Sequence, residues 1–80
     1  MPELIDVTSV RALDGYRLLL RFEDGSEGVF DVAPYLDNGV FSALRDPSVF
    51  DAAFIEGGTV TWPGGIDIAP ERLYSDLIRD

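Results

Sequence analysis

Carboxylates are the only reactive side chains that this sequence carries in number. There are fifteen Asp and Glu residues in a chain of 80. Two carboxylates held close together can work as general acid and base, or can bind Mg²⁺ or Ca²⁺. Asp31 is a candidate in the first half of the chain, and Asp67 follows a Trp-Pro-Gly-Gly string in the second. Their spacing matches no metal-binding or catalytic loop, so we expect most carboxylates to be solvated or to lie in caps and turns.

Several residue types that usually carry catalysis are missing. The sequence contains no His and no Cys, which excludes the commonest general base, thiol nucleophiles, disulfides and thiolate metal sites. All six basic residues are arginine, so a Schiff-base lysine and a P-loop lysine are excluded too. We therefore predict that the protein is not an enzyme and that it has no catalytic residue, cofactor or metal site.

The net charge limits the partners of this chain. At -9 it should repel DNA, RNA and anionic membranes, so direct binding to any of these is not expected. The first residues show neither the basic region nor the apolar run of a signal peptide. No apolar run exceeds four residues, which is far too short for a membrane span, and we predict a cytoplasmic location.

Four further side chains could contact a partner. Trp62 precedes the turn at 63–65 and could floor a pocket or anchor an interface, although strand alternation favours a place in the core. Arg17 and Arg21 share the outer face of a strand, where ion pairing is the commoner role and recognition of a partner's carboxylates is the alternative. Tyr74 lies in the last predicted helix. The candidate interaction residues are therefore Trp62, Arg17, Arg21, Asp31, Asp67 and Tyr74.

Three strands are predicted in the first half of the chain. Residues 4–10 are rich in β-forming types, residues 16–23 alternate apolar with polar, and a third strand follows at 28–32. An even-numbered loop would turn the apolar residues of the third strand away from those of the second. Parity therefore predicts a three-residue loop at 23–25, with Gly25 in the left-handed region of backbone space.

The middle of the chain reads as short helical pieces. A single turn is expected at 34–37, ending at the helix-terminating pair Asn38-Gly39. Asp46 then has the position of an N-cap, because Pro47 suits the first turn of a helix. In the intervening segment Val40, Phe41 and Leu44 recur at helical spacing, as on one face of a helix. After the cap, we expect Val49, Phe50 and Ala53 to face inward.

The second half returns to hairpins and closes with a helix. We expect a two-residue turn at 57–58, a three-residue loop at 63–65, and a helix from about Pro70. The three strands are predicted at 54–56, 59–62 and 66–68. The buried stripe of the helix is predicted to contain Leu73, Tyr74, Leu77 and Ile78. The resulting class is α+β, a small single domain over 1–80 with antiparallel β-hairpins, short helices and a C-terminal helix.

Four sequence motifs follow one another along the chain. They are Leu-Arg-Phe-Glu-Asp-Gly at 20–25, Val-Phe-Asp-Val-Ala-Pro-Tyr-Leu at 29–36, Gly-Val-Phe-Ser-Ala-Leu-Arg-Asp at 39–46, and the segment 61–74 from Thr-Trp-Pro-Gly-Gly to Glu-Arg-Leu-Tyr. Together they resemble the bacterial family catalogued as domain of unknown function 2442. The resemblance implies a small α+β domain, and it brings no established activity.

The same resemblance suggests a genomic context. Members are often encoded beside a small basic protein, which implies a toxin–antitoxin pair or a two-component assembly. Some longer members continue into a helix-turn-helix domain that this sequence lacks, so direct DNA binding is not expected. The molybdopterin-guanine dinucleotide label that some relatives carry is not supported, because the glycine-rich nucleotide loop is missing.

The leading functional hypothesis is a non-enzymatic protein–protein interaction module, as the antitoxin-like partner of a small basic protein encoded nearby. A small-ligand binder or carboxylate-based enzyme is one alternative. The sensor or dimerisation half of a DNA-linked regulator is another.

A homodimer is also predicted. The strand at 4–10 carries few charges, and the outer face that bears Leu19 and Val29 is partly apolar. A second copy could pair with that edge or cover that face, in a twofold dimer that tightens as rising salt screens the charge of -9 on each chain.

Overall fold

Two three-stranded antiparallel sheets and four short helical segments make up the part of the chain, residues 5–78, that the computed structural model describes. The first sheet has the order β1 (Val7–Leu13), β2 (Arg17–Phe22), β3 (Glu27–Asp31). This arrangement confirms the α+β class.

The hairpin between β2 and β3 has the register that parity predicts. The Phe22 amide donates to the Ser26 carbonyl at 2.8 Å, which leaves residues 23–25 as the loop. Gly25 has a φ of 89°, a conformation that glycine adopts without a Cβ clash. Leu18 consequently lies opposite Phe30, and both side chains are buried on one face.

The first strand differs from its predicted bounds. It begins at Val7 and continues to Leu13, whereas the prediction ended at residue 10; predicted residue Leu4 lies outside the described residues. The strand continues past residue 10 because its residues up to Leu13 still pair with β2, and a bulge at Thr8 shifts the register between Val7 and Ser9. The extra residue places Val7 and Val10 on the same face, so the strand lacks the simple alternation that sequence reasoning looks for.

The second sheet follows its predicted hairpins closely. It consists of β4 (Phe54–Glu56), β5 (Thr59–Trp62) and β6 (Ile66–Asp67), in that order. Glycines with positive φ form the two-residue turn at 57–58, and Trp62 pairs with Ile66 across the three-residue loop at 63–65. Both predicted loops are confirmed.

The helical segments between the sheets are mostly 3-10 rather than α. Ala33–Tyr35 and Gly39–Arg45 are 3-10 helices, and α1 (Pro47–Phe50) follows directly. The predicted N-cap is confirmed, because the Asp46 side chain accepts a hydrogen bond from the Ser48 amide.

The predicted single turn is present as Ala33–Tyr35 and ends before Asn38-Gly39, although Gly39 also starts the second 3-10 helix, with Asn38 in extended backbone before it. The placement of Val40 on one face with Phe41 and Leu44 is wrong. Val40 is 68% exposed, whereas Leu44 is fully buried and Phe41 partly so. A 3-10 helix has about three residues per turn, so its inward face recurs at Phe41 and Leu44 and leaves Val40 outside.

The C-terminal helix is shorter than its apolar pattern suggests. Helix α2 (Pro70–Ser75) buries Leu73 completely. The chain then leaves the helix, and Ile78 exchanges two backbone hydrogen bonds with Val29 on the free edge of β3. The prediction that Ile78 is buried in the helical stripe is therefore wrong, and its side chain is 55% exposed.

One hydrophobic core joins the two sheets. The Val7 amide donates to the Gly58 carbonyl at 2.8 Å and so ties β1 to the second hairpin. Within the core, Phe50 packs edge-on against Tyr16 and stacks on Trp62, with ring centroids 5.3 and 6.1 Å apart. The buried apolar residues are Val7, Leu18, Leu20, Phe22, Phe30, Val32, Leu44, Phe50, Val60, Trp62, Ile66, Ile68 and Leu73.

A substitution at Gly28 tests how closely the C-terminal segment packs on β3. A Cβ at this position would lie 2.7 Å from both the Ile78 carbonyl oxygen and Leu77 Cγ. We expect Gly28→Ala to lower the free energy of unfolding by about 1–3 kcal/mol, the usual cost of overpacking. Gly39→Ala is the matched control, because a Cβ there meets nothing within 4 Å. Urea denaturation measures both, and equal stabilities for the two variants would contradict the close approach.

The Asp46 cap predicts a pH dependence of stability. Hydrogen bonds from the Ser48 hydroxyl and amide lower the pKa of the Asp46 carboxyl below its ordinary value. A lowered pKa in the folded state contributes stability that is present above the unfolded pKa, about 4, and is lost as the pH falls through the folded pKa. An asparagine at this position would still cap the helix without titrating. We expect the Tm of the wild type to exceed that of Asp46→Asn at pH 6 and the difference to shrink toward pH 2.5.

Candidate functional site

Tyr35 lies where the first sheet, the 3-10 segments and α2 meet. Its half-buried ring is 5.6 Å from the ring of Phe30 and 5.8 Å from that of Phe41, measured between centroids. Its hydroxyl accepts a long hydrogen bond from Arg72 Nη1 at 3.4 Å and donates one to Asp76 Oδ2 at 3.5 Å. The tyrosine therefore joins an aromatic cluster on one side to polar groups of α2 on the other.

Two shallow clefts adjoin this tyrosine, with volumes of about 410 and 350 Å³. Tyr35, Asn38 and Arg72 line both of them, and we name the combined feature the Tyr35 groove. Its other lining residues are Phe30, Asp31, Pro34 and Asp76 in the first cleft and Phe41, Asp67, Ile68 and Ala69 in the second.

The charges of the groove are mostly negative. Three carboxylates, those of Asp31, Asp67 and Asp76, line it against the single guanidinium of Arg72. The hydrogen bond to the Tyr35 hydroxyl, supported by the nearby Asp76 carboxylate, raises the pKa of Arg72, so that side chain stays protonated. Aromatic surface beside carboxylates is suited to a guanidinium or ammonium group. Within residues 5–78, no three His, Cys, Asp or Glu side chains are grouped so as to hold a metal ion.

Two of the six candidate residues meet at this groove. Asp31 lines the first cleft and Asp67 the second, with Arg72 common to both. The Asp31 carboxylate accepts a hydrogen bond from the Ala33 amide at 3.0 Å and is thereby held at the end of β3. Sequence reasoning missed Tyr35, whose only local signal is an aromatic residue after Pro34 in a predicted turn.

Tyr74 lies elsewhere and fastens α2 to the first hairpin. Its hydroxyl donates to Asp24 Oδ2 at 3.0 Å and lies 3.4 Å from Ser26 Oγ. Its ring packs edge-on against Phe22, with centroids 5.1 Å apart. These contacts make Tyr74 a residue that positions the helix on the β2–β3 loop.

Trp62 has no exposed surface. Its side chain is 0% exposed, and its indole Nε1 donates to the Phe50 carbonyl at 3.0 Å. The proposal that Trp62 contacts a partner is therefore corrected: burial leaves nothing of it to contact, and the alternative of a core tryptophan is the one observed.

Arg17 and Arg21 lie on the outer face of the first sheet. Arg21 forms an ion pair with Glu27 at 3.1 Å, whereas Arg17 Nε donates to the Asp14 carbonyl at 3.4 Å. In the antiparallel register Arg17 stands opposite Asp31. Asp31 is thus the residue at which the outer face and the Tyr35 groove adjoin.

The structure defines a small α+β domain with two three-stranded antiparallel sheets and a carboxylate-lined aromatic groove. The chain belongs to the family described as Protein of unknown function (DUF2442), whose model matches residues 7–78. This finding confirms the resemblance seen in the sequence. No curated protein and no solved structure shows significant similarity to the chain. Within residues 5–78, no helix has both the length and the apolar composition needed to cross a membrane.

The hydroxyl of Tyr74 can be tested apart from its ring. Tyr74→Phe keeps the packing on Phe22 and removes the hydrogen bond to Asp24. We expect it to lower the free energy of unfolding by about 1 kcal/mol, the net value of one such bond. Ser75→Ala, which removes an exposed hydroxyl of the same helix, is the control and should stay within about 0.5 kcal/mol of the wild type. Thermal and urea unfolding provide the measurement, and an unchanged Tyr74→Phe would show that the hydroxyl does not hold α2.

Proposed function

We propose that this protein is a non-enzymatic interaction module that binds a basic protein, with the Tyr35 groove as the place where a cationic side chain of that protein docks. The observation that carries the proposal is the groove itself, which combines the rings of Tyr35 and Phe41 with carboxylates on both sides. An arginine or lysine placed over such a ring gains about 0.5–2 kcal/mol from the cation–π contact. Carboxylates beside it add charge-assisted hydrogen bonds.

The rest of the surface supports a basic partner. Among residues 5–78, twelve of the thirteen Asp and Glu side chains are exposed and Asp31 is half-buried. The ion pairs between described residues are Arg21–Glu27 and Arg45–Asp37. With a net charge of -9, the chain attracts cationic proteins over a distance and speeds their encounter.

The finer role that we propose is antitoxin-like. The family resemblance implies a small basic protein encoded nearby, and a partner of that charge is the one that this surface would steer and hold. Covering the cationic surface of such a protein would block its contacts with other anions, which is inhibition without catalysis.

Small-ligand binding is a second candidate, favoured by one observation. Asp31 and Asp67 flank Arg72, so the groove offers both signs of charge to a zwitterion. A volume of about 410 Å³ is within the range of ligand sites, roughly 300–1,000 Å³. Free arginine is the probe that separates the two candidates, because it carries the cationic group without the rest of a protein surface.

The groove proposal predicts a difference between two variants of equal charge. Asp67→Asn with Asp76→Asn removes two carboxylates of the groove, and Asp51→Asn with Glu56→Gln removes two elsewhere. We expect the groove variant to bind a fluorescein-labelled arginine-rich peptide at least about 5-fold more weakly than the control variant, because only the first loses local contacts. Fluorescence anisotropy at about 0.15 M salt measures both affinities. Equal losses would show that net charge alone holds the peptide, and tight binding of free arginine would favour the small-ligand candidate.

The antitoxin-like role predicts a physical complex in the native host. The tagged chain, recovered at low salt, should carry a small basic protein in a stoichiometric amount, and the groove variant should carry less of it. Mass spectrometry and size-exclusion chromatography identify and count the partner. Recovery of the free chain alone would overturn this role, and a shift of DNA mobility by the isolated chain would contradict the charge argument.

A further inference from the structure

The outer face of the first sheet has a composition unlike that of the rest of the molecule. The registers of β1, β2 and β3 align Arg11, Leu19 and Val29 in a central row, which Ile78 extends past the edge of β3. On either side lie the rows Ser9–Arg21–Glu27 and Leu13–Arg17–Asp31. We name the surface formed by these residues the outer face.

The apolar residues of the outer face belong to no core. Leu13, Leu19 and Val29 are half-buried, yet they are not among the side chains packed against the core of the described residues. Ile78 is 55% exposed. On the opposite side of the same strands, Leu18 and Leu20 are 0% exposed. The outer face is thus an apolar surface that no other described element covers.

Arginines border this apolar surface on the β1 and β2 side, and Glu27 and Asp31 lie at the ends of its β3 side. Arg11, Arg17 and Arg21 are three of the six basic residues of the chain. Arg21 is paired with Glu27, while Arg11 and Arg17 form no ion pair with any residue in 5–78. A chain of charge -9 therefore presents one face on which cations outnumber carboxylates, and that face is apolar at its centre.

A second copy of the chain centred on Leu19 fits this face poorly. Two sheets that pack face to face keep their strands roughly aligned. A twofold axis through Leu19 and along the strands would stack Arg17 and Arg21 on their own copies. An axis across the strands would stack Arg11 on its own copy and Arg17 on Arg21. Each arrangement buries arginine against arginine, which costs free energy that a partner with carboxylates would not lose.

We propose that the outer face docks an amphipathic helix of a partner protein, with apolar side chains on Leu19 and Val29 and carboxylates facing Arg11 and Arg17. The partner helix is expected to carry carboxylates beside its apolar stripe, because these would lie opposite the positive charges of Arg11 and Arg17. The dimensions agree, because three strands about 4.8 Å apart present a face close to the diameter of about 10 Å of one helix. The proposal is independent of the Tyr35 groove, which has the opposite charge.

A pair of synthetic helices tests the proposal with the full chain. Both peptides carry the same leucine stripe, and glutamates flank the stripe in one while lysines flank it in the other. Fluorescence anisotropy at about 0.15 M salt measures each affinity. We expect the glutamate peptide to bind at least about 10-fold more tightly, although the net charge of -9 favours the lysine peptide everywhere else. Only local contacts with the arginines can produce that preference.

Three variants locate the binding. Leu19→Asp should abolish binding of the glutamate peptide, and Arg17→Gln, which keeps the apolar centre, should weaken it at least about 3-fold. Val40→Asp, at an exposed apolar residue away from the sheets, is the matched control and should leave it unchanged. Circular dichroism confirms that each variant is folded.

Three results would contradict docking of an acidic amphipathic helix on the outer face. Preference for the lysine peptide by the groove variant Asp67→Asn with Asp76→Asn, in which cationic groups lose the groove contacts, would overturn the proposal. A Leu19→Asp variant that binds the glutamate peptide as the wild type does would overturn it too. So would sedimentation that shows a dimer which Leu19→Asp dissociates, because a second copy would then cover the face. The groove variant Asp67→Asn with Asp76→Asn should bind the glutamate peptide normally, which keeps this test distinct from that of the proposed function.

Discussion

The whole structure depends on two odd-numbered loops that hold strand registers in place. Residues 23–25 and 63–65 each reverse the chain in three residues, so the apolar side chains of both partner strands emerge on the same face. A slip of one residue would exchange the two faces of a strand and turn Leu18 and Leu20 toward water. Each fully buried large apolar side chain contributes about 1.5–3 kcal/mol, so the correct register is strongly favoured. The two inner faces then share a core that neither sheet could close alone.

The first sheet buries one face in the core. Its other face remains exposed, and charged side chains lie beside the apolar residues there. Arginines border the apolar row of Leu19, Val29 and Ile78 and so limit the size of the exposed hydrophobic patch. The second sheet needs less protection, because all four residues of β5 are buried and the hairpin is tied to β1 through Val7 and Gly58. The outer face thus combines exposed apolar side chains with three of the six arginines, while most of the carboxylates lie on the remaining surface.

The Tyr35 groove arises from segments that are distant in sequence. Tyr35 and Arg72 are 37 residues apart, and Tyr35 and Asp76 are 41 apart. Helix α2 reaches this place because Tyr74 holds it on the β2–β3 loop and Leu73 is buried beneath it. The groove and the outer face adjoin at Asp31, so a domain of this size offers two surfaces of opposite charge side by side.

The sequence by itself determined the α+β class, the three hairpin loops at 23–25, 57–58 and 63–65, the Asp46 cap and the family, because these depend on side-chain parity, turn residues and neighbours within a few positions. It also placed Asp31 and Asp67 among the candidate residues, though without the tyrosine between them. Only the tertiary structure decided which surfaces meet. A bulge at Thr8 altered the face of β1, the 3-10 geometry of Gly39–Arg45 turned Val40 outward, and pairing with β3 drew Ile78 out of the helical pattern. The role of Trp62 was likewise decided by the tertiary structure, because its buried indole donates a hydrogen bond to the Phe50 carbonyl of another element. The bulge, the pairing of Ile78 and the burial of Trp62 rest on contacts between residues distant in sequence, whose strength local patterns do not encode. The exposure of Val40 follows from a choice between 3-10 and α geometry that the apolar spacing alone does not make.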